Sequence, residues 1–298
     1  MKKAIVTGGA GFIGHHLVKK LSSLGYQTLI IDNLSSGYEK NIPLSDNVFF
    51  HNIDIRNDLN NSFSDFKPDF VFHLAARPSV PLSVLNPMLS NDVNVTGTLN
   101  VLETSLRYNV KRLIFSSSSS IYGATDGVAS RECDIPNPQS PYALQKLVGE
   151  EYCKLFVKYG LDTCSLRYFN VFGKNQDPNS QYAALIASFL QHKTLNTIPT
   201  IYGDGEQRRD FCHVSNVVYA NIAAATRTAP INGEVFNIGC GENVSVNEIA
   251  KLFNFEKIKY IEERPGDVRV SLADISKAQA LLGYNIDMDF KNGLNELI

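Results

Sequence analysis

A short apolar run, Ala4-Ile5-Val6, passes through Thr7 into Gly8-Gly9-Ala10-Gly11-Phe12-Ile13-Gly14, and a helical pattern starts there at once. This junction constrains the fold most, because a strand turning into a helix across a few glycines opens a βαβ unit. Glycines at 8, 11 and 14 permit a tight turn and close backbone approach. The free amides of the helix N-terminus, at the positive end of its dipole, suit a pyrophosphate. Plain turn chemistry is the alternative, and the next apolar run weighs against it. That run, 28–31, ends in Asp32, at the offset of about 20 residues where a carboxylate accepts from a ribose 2′-hydroxyl and repels a 2′-phosphate. Asp32 thus favours NAD over NADP; the competing reading makes it a turn residue with Asn33.

Short β-branched or aromatic runs at 3–6, 28–31, 48–53, 70–74, 112–116 and 163–168 alternate with helical patterns. The clearest helices are 12–24, closed by Gly25, and 88–108, starting after Pro87. This alternation predicts an α/β fold with a doubly wound parallel sheet. After Phe172 the texture breaks up at Pro178, Pro199, Gly203, Gly205 and the charged run 206–210, so a smaller C-terminal lobe is expected. There Ser245 and Glu248 make a capping box, and Asp274 can cap a helix ending at Gly283. The run Ser116 to Ser120 follows a strand, where a parallel sheet carries its functional loops.

With 28 basic against 30 acidic residues, the net charge of -2 gives no footprint for a phosphate backbone or an anionic membrane. The most apolar stretch, 217–225, is interrupted by Tyr219 and Asn221 and falls short of a span. Lys2 and Lys3 precede too short an apolar run for a secretory signal. A soluble, cytoplasmic protein is expected. Its five cysteines are scattered without a C-x-x-C pair, so reduced thiols are expected rather than zinc ligands or disulfides. His15, His16, His51, His192 and His213 fit no ligand spacing, and no metal is expected.

Tyr142 is the one tyrosine of 13 with a lysine four positions on, so Tyr142 and Lys146 share a helix face. The Lys146 ammonium and an oxidised nicotinamide would draw the phenol from about 10 toward neutrality and make it a general base. Ser118 would hydrogen-bond the reacting hydroxyl. A surface Tyr-Lys pair and a polar strand-end loop are the structural alternatives.

The chain resembles, over essentially its whole length, the extended short-chain dehydrogenase/reductases, and within them the nucleotide-sugar 4-epimerases. The marks are residues 7–14, Asp32-Asn33-Leu34, Asp54-Ile55-Arg56, His73-Leu74-Ala75-Ala76, Asn94-Val95-Thr96-Gly97, Ser116 to Ser118, Ser140-Pro141-Tyr142 with Lys146, and Arg167 to Asn170. Arg209-Asp210-Phe211 and Arg264-Pro265-Gly266-Asp267 follow. The resemblance implies a Rossmann-type NAD-binding domain over 1–169, rejoined by about 212–241, with a UDP-sugar lobe from 170–211 and 242–298. It assigns catalysis to Ser118, Tyr142 and Lys146. Cofactor contacts fall to Gly8, Gly11, Phe12, Ile13, Gly14, Asp32, Asn33, Ser35, Ser36, Gly37, Asp54, Ile55, Leu74, Ala75, Ala76, Asn94, Ser116 and Tyr168, with Tyr142 and Lys146. The UDP-sugar falls to Ser79, Ser118, Ser119, Tyr142, Asn170, Tyr202, Arg209, Arg264, Asp267 and Ser271. A homodimer through helices 88–108 and 142–159 is implied as well; the alternative is that their apolar stripes are buried on the sheet.

Within the family, Ser118-Ser119-Ser120 lacks the acid and base that a 4,6-dehydratase or decarboxylase resembling this chain would carry. Epimerisation through a 4-keto sugar is therefore expected. Ser271 falls where relatives confined to UDP-glucose and UDP-galactose can carry tyrosine, and serine leaves room for a 2-N-acetyl group. Residues 170–173, 176–178 and 182–184 also resemble the UDP-N-acetylhexosamine branch. A UDP-uronate 4-epimerase, with Arg77 or Lys174 against the carboxylate, is the rival. A catalytically silent nucleotide sensor is a further alternative, which the intact triad opposes.

Overall fold

The computed structural model describes residues 1–125, 127–177, 185–263 and 268–298. Its first half runs β1 (Lys3–Thr7), α1 (Phe12–Ser23), β2 (Gln27–Asp32), β3 (Val48–Asn52), α2 (Asn60–Phe66), β4 (Phe70–His73), α3 (Val80–Leu85), α4 (Pro87–Asn91), α5 (Thr98–Arg107), β5 (Arg112–Ser118), α6 (Pro141–Val157) and β6 (Thr163–Tyr168). There follow β7 (Val171–Phe172), α7 (Leu185–Leu195), β8 (Thr200–Tyr202), β9 (Arg208–Arg209), β10 (Cys212–His213), α8 (Val214–Thr226), β11 (Val235–Ile238), β12 (Val244–Ser245), α9 (Val246–Leu252), β13 (Lys259–Ile261), α10 (Ser276–Leu282) and α11 (Phe290–Asn295).

Seven strands form one parallel sheet in the order β11-β6-β5-β4-β1-β2-β3. Period-two alternation explains its two covered faces. Ala4, Val6, Ile30, Phe70, Phe72 and Ile114 pack with Leu17, Val18 and Leu21 of α1 and Val217 of α8. The intervening Ile5, Leu29, Ile31, Val71 and Leu113 pack with Phe63 of α2, Val101 and Leu102 of α5, and Phe156 of α6. Strand order reverses between β1 and β4, and an open sheet of this kind binds its ligand at that crevice.

The sheet predicted from the sequence is present, with three differences. Strand β5 runs on to Ser118, because Ser116, Ser117 and Ser118 pair with Leu166, Arg167 and Tyr168 of β6. The edge strand β11 was not expected: its four residues lie between Gly233 and Gly239, too short a run to show a period. The expected helix 88–108 divides into α4, a π-helical turn over Asp92–Gly97, and α5. Within that widened turn Asn94 is buried, and Gly97 passes so close to Ile55 that a Cβ there would lie 2.6 Å from the Ile55 Cδ1.

A third apolar cluster, built on Phe172, Ile186, Phe189, Phe211, Ile249, Phe253 and Phe290, lies in the C-terminal part. Two-stranded sheets β10-β7, β12-β9 and β13-β8 accompany it. The capping box forms as expected at Ser245 and Glu248. Asp274 accepts from the amide of Ser276 at 2.9 Å, but the cap position itself is Ile275, one residue later than expected. All five cysteines are free thiols. Among the described residues no helix is long and apolar enough to cross a membrane.

Candidate active site

A cleft of about 1080 Å³ opens at the carboxyl ends of β1, β2, β4 and β5. The glycine turn forms its floor. Gly8 adopts φ +72°, and a Cβ there would lie 2.7 Å from the Ala75 nitrogen. A Cβ on Gly14 would overlap the Gly8 carbonyl oxygen. Only bare backbone fits, and it leaves the amides at the start of α1 facing the cleft. The Asp32 carboxylate accepts from Ala10 N at 3.0 Å and Leu34 N at 2.8 Å, which fixes it on the cleft wall with lone pairs to spare for a ribose hydroxyl. These residues therefore fit a dinucleotide. Further along, Asp54 is gripped by Arg56 through Nε at 2.9 Å and Nη2 at 2.8 Å. Those bonds hold its carboxyl down at about 2.

The opposite wall is Leu74 to Ala76, and a buried relay beneath fixes it. Thr98 Oγ1 donates to the Asn94 carbonyl at 2.7 Å, so it accepts from His73 Nε2 at 2.9 Å. Nδ1 of His73 then accepts from Thr7 Oγ1 at 2.7 Å, and Thr7 accepts from Ala75 N at 3.3 Å. Burial first, and Lys146 second, push His73 down to about 3, so the ring stays neutral and keeps this tautomer. Asn94 accepts from Arg77 N at 2.8 Å and donates to Gln145 Oε1 at 2.9 Å. It supports the wall from below rather than lining the cleft.

Ser118, Tyr142 and Lys146, the expected reactive groups, converge in this cleft. Ser140 caps α6 with its side chain, and Pro141 opens the helix, which aims Tyr142 and Lys146 into the cleft. Lys146 Nζ donates to the Ser116 carbonyl at 2.8 Å and lies 5.0 Å from the Phe115 ring centre. Burial lowers it to about 8. Ser118 Oγ accepts from Ser120 Oγ at 2.9 Å, which leaves its own proton for the Tyr142 oxygen. The sequence predicts a phenol lowered by Lys146 together with an oxidised nicotinamide; among the protein's own groups, burial pushes Tyr142 up to about 12, opposed by the Ser118 hydrogen bond. The physical reason is that both side chains are buried and the ammonium is directed at Ser116 O.

Of the expected cofactor residues, all but Gly37 and Asn94 line this cleft. Gly37 packs under Ala10, where a Cβ would meet the Ala10 carbonyl carbon at 2.9 Å. Of the expected substrate residues, Ser118, Ser119, Tyr142, Asn170, Arg209 and Ser271 line it. Ser79 does not; its hydroxyl accepts from Leu82 N at 3.2 Å and caps α3. Tyr202 lines an adjoining cavity of about 360 Å³ that shares Asn170, Val171 and Arg209 with the main cleft. Arg264 and Asp267, with 178 and 182–184, lie outside the described residues. Arg77 lines the cleft among the described residues, whereas Lys174 does not.

Sequence reasoning missed Gln145 and Glu150. Glu150, fully buried, accepts from Ser117 Oγ at 2.5 Å and from Arg167 through Nε at 2.9 Å and Nη2 at 2.7 Å. The available signal was spacing: Glu150 is four residues after Lys146 and eight after Tyr142, on the same face of α6.

The chain is similar over nearly its whole length to proteins of known structure. The UDP-glucose 4-epimerase of Thermotoga maritima, solved with UDP-glucose, shares 40% identity and a TM-score of 0.93, covering 98% of this chain and 96% of that one. The UDP-N-acetylglucosamine 4-epimerase of Methanobrevibacter ruminantium, solved with UDP-N-acetylmuramic acid, has the same identity and TM-score, covering 99% and 96%. A UDP-glucuronate 4-epimerase of Thermodesulfobacterium geofontis is 34% identical over 99% of this chain and 94% of its own. The profile of the NAD dependent epimerase/dehydratase family matches residues 4–239, and the chain, with its glycine turn and its Ser118, Tyr142 and Lys146 in one cleft, belongs to that family.

Proposed function

We propose that this protein is an isomerase that interconverts the 4-epimers of a UDP-hexose, with UDP-N-acetylglucosamine and UDP-N-acetylgalactosamine as its preferred pair. The observation that carries the reading is that Ser118, Tyr142, Lys146 and the small Ser271 all line the cleft floored by the glycine turn. In this reading 1–169 and about 212–241 hold the cofactor, while 170–211 and 242–298 hold the UDP-sugar. NAD, when bound, supplies reversible hydride transfer at C4, so the net reaction is redox-neutral.

Tyr142 takes the proton of the sugar 4-hydroxyl and returns it to the same oxygen once C4 has been reduced from its other face. Ser118 donates to the Tyr142 oxygen, which favours the phenolate, and Ser120 donates to Ser118 in turn. Lys146, held on the Ser116 carbonyl, supplies positive charge beside the phenolate. Arg209 and, from the motif, Arg264 would hold the diphosphate, with Asp267 assigned to the UDP moiety, while the 4-keto hexose turns about its link. Asn170 Nδ2 donates to Ser271 Oγ at 3.1 Å and to the Asp210 carbonyl at 2.8 Å, and the short serine side chain leaves space beside the sugar. Arg77 supports a second reading, in which it faces the carboxylate of a UDP-uronate.

The test is to incubate the protein separately with UDP-N-acetylglucosamine, UDP-glucose and UDP-glucuronate and resolve the products by anion-exchange chromatography. Faster conversion of the N-acetyl sugar is expected. Conversion of the uronate alone would keep the chemistry and transfer specificity to Arg77; no conversion, with NAD supplied, would overturn the reading.

A further inference from the structure

Two segments far apart in the chain meet over the first turns of α1. The loop after β2 is tied to the glycine turn: Tyr38 N donates to the Ala10 carbonyl at 3.1 Å, and Asn41 Nδ2 donates to the same oxygen at 2.9 Å. Residues 174–177, beyond β7, lie on α1 itself. His16 Nε2 donates to the Lys174 carbonyl at 2.8 Å, and Asn175 Nδ2 donates to His15 Nε2 at 3.2 Å. Since a carbonyl only accepts, His15 Nδ1 donates to Gly11 O at 3.0 Å, which leaves Nε2 free to accept and the ring neutral. Tyr38 Oη then donates to Asp177 Oδ2 at 2.6 Å and joins the two segments across 139 residues of sequence. The circuit Ala10, Tyr38, Asp177, Asn175, His15, Gly11 joins both segments to the helix terminus suited to a pyrophosphate, and both Tyr38 and Asp177 line the cleft.

We infer that the Tyr38–Asp177 bond is a latch that closes the strap 174–177 over the bound dinucleotide and slows its release. A redox-neutral reaction has no need to exchange its cofactor in each cycle, so retention across the keto-sugar stage is an advantage. The inference rests on the cofactor of the family and not on which sugar is used, so failure of every UDP-sugar assay would leave it standing.

The test measures release of NAD directly. Wild type, Tyr38→Phe, Asp177→Ala and the double variant are loaded with NAD and diluted, and the free NAD is followed over time. Release about three- to tenfold faster in Tyr38→Phe is expected, the effect of losing one solvent-exposed hydrogen bond. The double variant should release no faster than Asp177→Ala, because one bond is being removed in both. Tyr38 is 44% exposed and Phe keeps the ring, so thermal unfolding of the NAD-free variant should match that of wild type. Equal release rates, multiplying effects in the double variant, or a matching loss of stability in the NAD-free protein would each overturn the latch.

Discussion

Tyr142 carries an opposition between its place and its task. Burial holds the phenol up at about 12, whereas the proton removal proposed for it requires it ionised. The groups that favour the phenolate are few: the Ser118 hydroxyl, and Lys146 with its Nζ 5.8 Å from the ring centre. Tyr142→Phe should therefore lower kcat by about 10² to 10⁴, the range general acid–base catalysis contributes. Phenylalanine fills the same space, so NAD content and UDP affinity, read by absorbance and calorimetry, should stay near wild type. A variant that keeps a tenth of the wild-type rate would remove the proton from Tyr142 and assign it elsewhere.

At the scale of elements, β5, α6 and β6 meet through Glu150 and Arg167, an ion pair with side chains only 0% and 3% exposed. Arg167 also stacks over Tyr122 at 4.7 Å, and Tyr122 donates to Asn237 of β11 at 2.7 Å. Glu150→Gln would leave the Arg167 guanidinium buried against a neutral partner and should cost about 3–5 kcal/mol. Urea unfolding reads this directly; a loss below about 1 kcal/mol would mean that water or Tyr122 satisfies the cation. The same junction shows what a sequence can and cannot convey. Alternating runs and the turn at Gly8 made the first six strands legible because period and punctuation are local. Strand β11 lacks length, and the π turn at Asp92–Gly97 arises from contacts of Asn94 with Arg77 and Gln145, partners 17 and 51 residues away. Tyr142 and Lys146 could be paired by helical spacing alone. Seeing that Ser79 caps a helix, or that Asn94 and Gly37 lie behind the wall, needed the fold.

For the whole molecule, α6 divides its labour between two faces. The inner one carries Tyr142, Lys146 and Glu150 into the sheet, all buried. The outer one presents Leu144, Val148, Tyr152 and Leu155, continuing to Tyr159, at spacings of three and four; Leu144 is 52% and Tyr159 59% exposed. Val95 on the adjoining turn is half-buried, as are Leu99 and Leu106 of α5, which together with Tyr152 also pack against the core. The family resemblance implies a homodimer through a four-helix contact, and two copies pairing these stripes about a twofold axis would make one. We propose that the protein is a homodimer through this face. Leu155→Glu with Tyr159→Glu sets like charges against each other across such an axis, far from Tyr142 in the helix, and should weaken dimerisation by at least about 30-fold. Sedimentation velocity of wild type at micromolar concentration should give a dimer and the variant a monomer. A wild-type monomer, or a variant that stays dimeric, would place the contact on another surface. Since the inner face of the same helix holds the reactive pair, the monomeric variant also reports whether the partner stiffens it: NAD binding unchanged with a lower kcat would show that the dimer helps to hold Tyr142 in register.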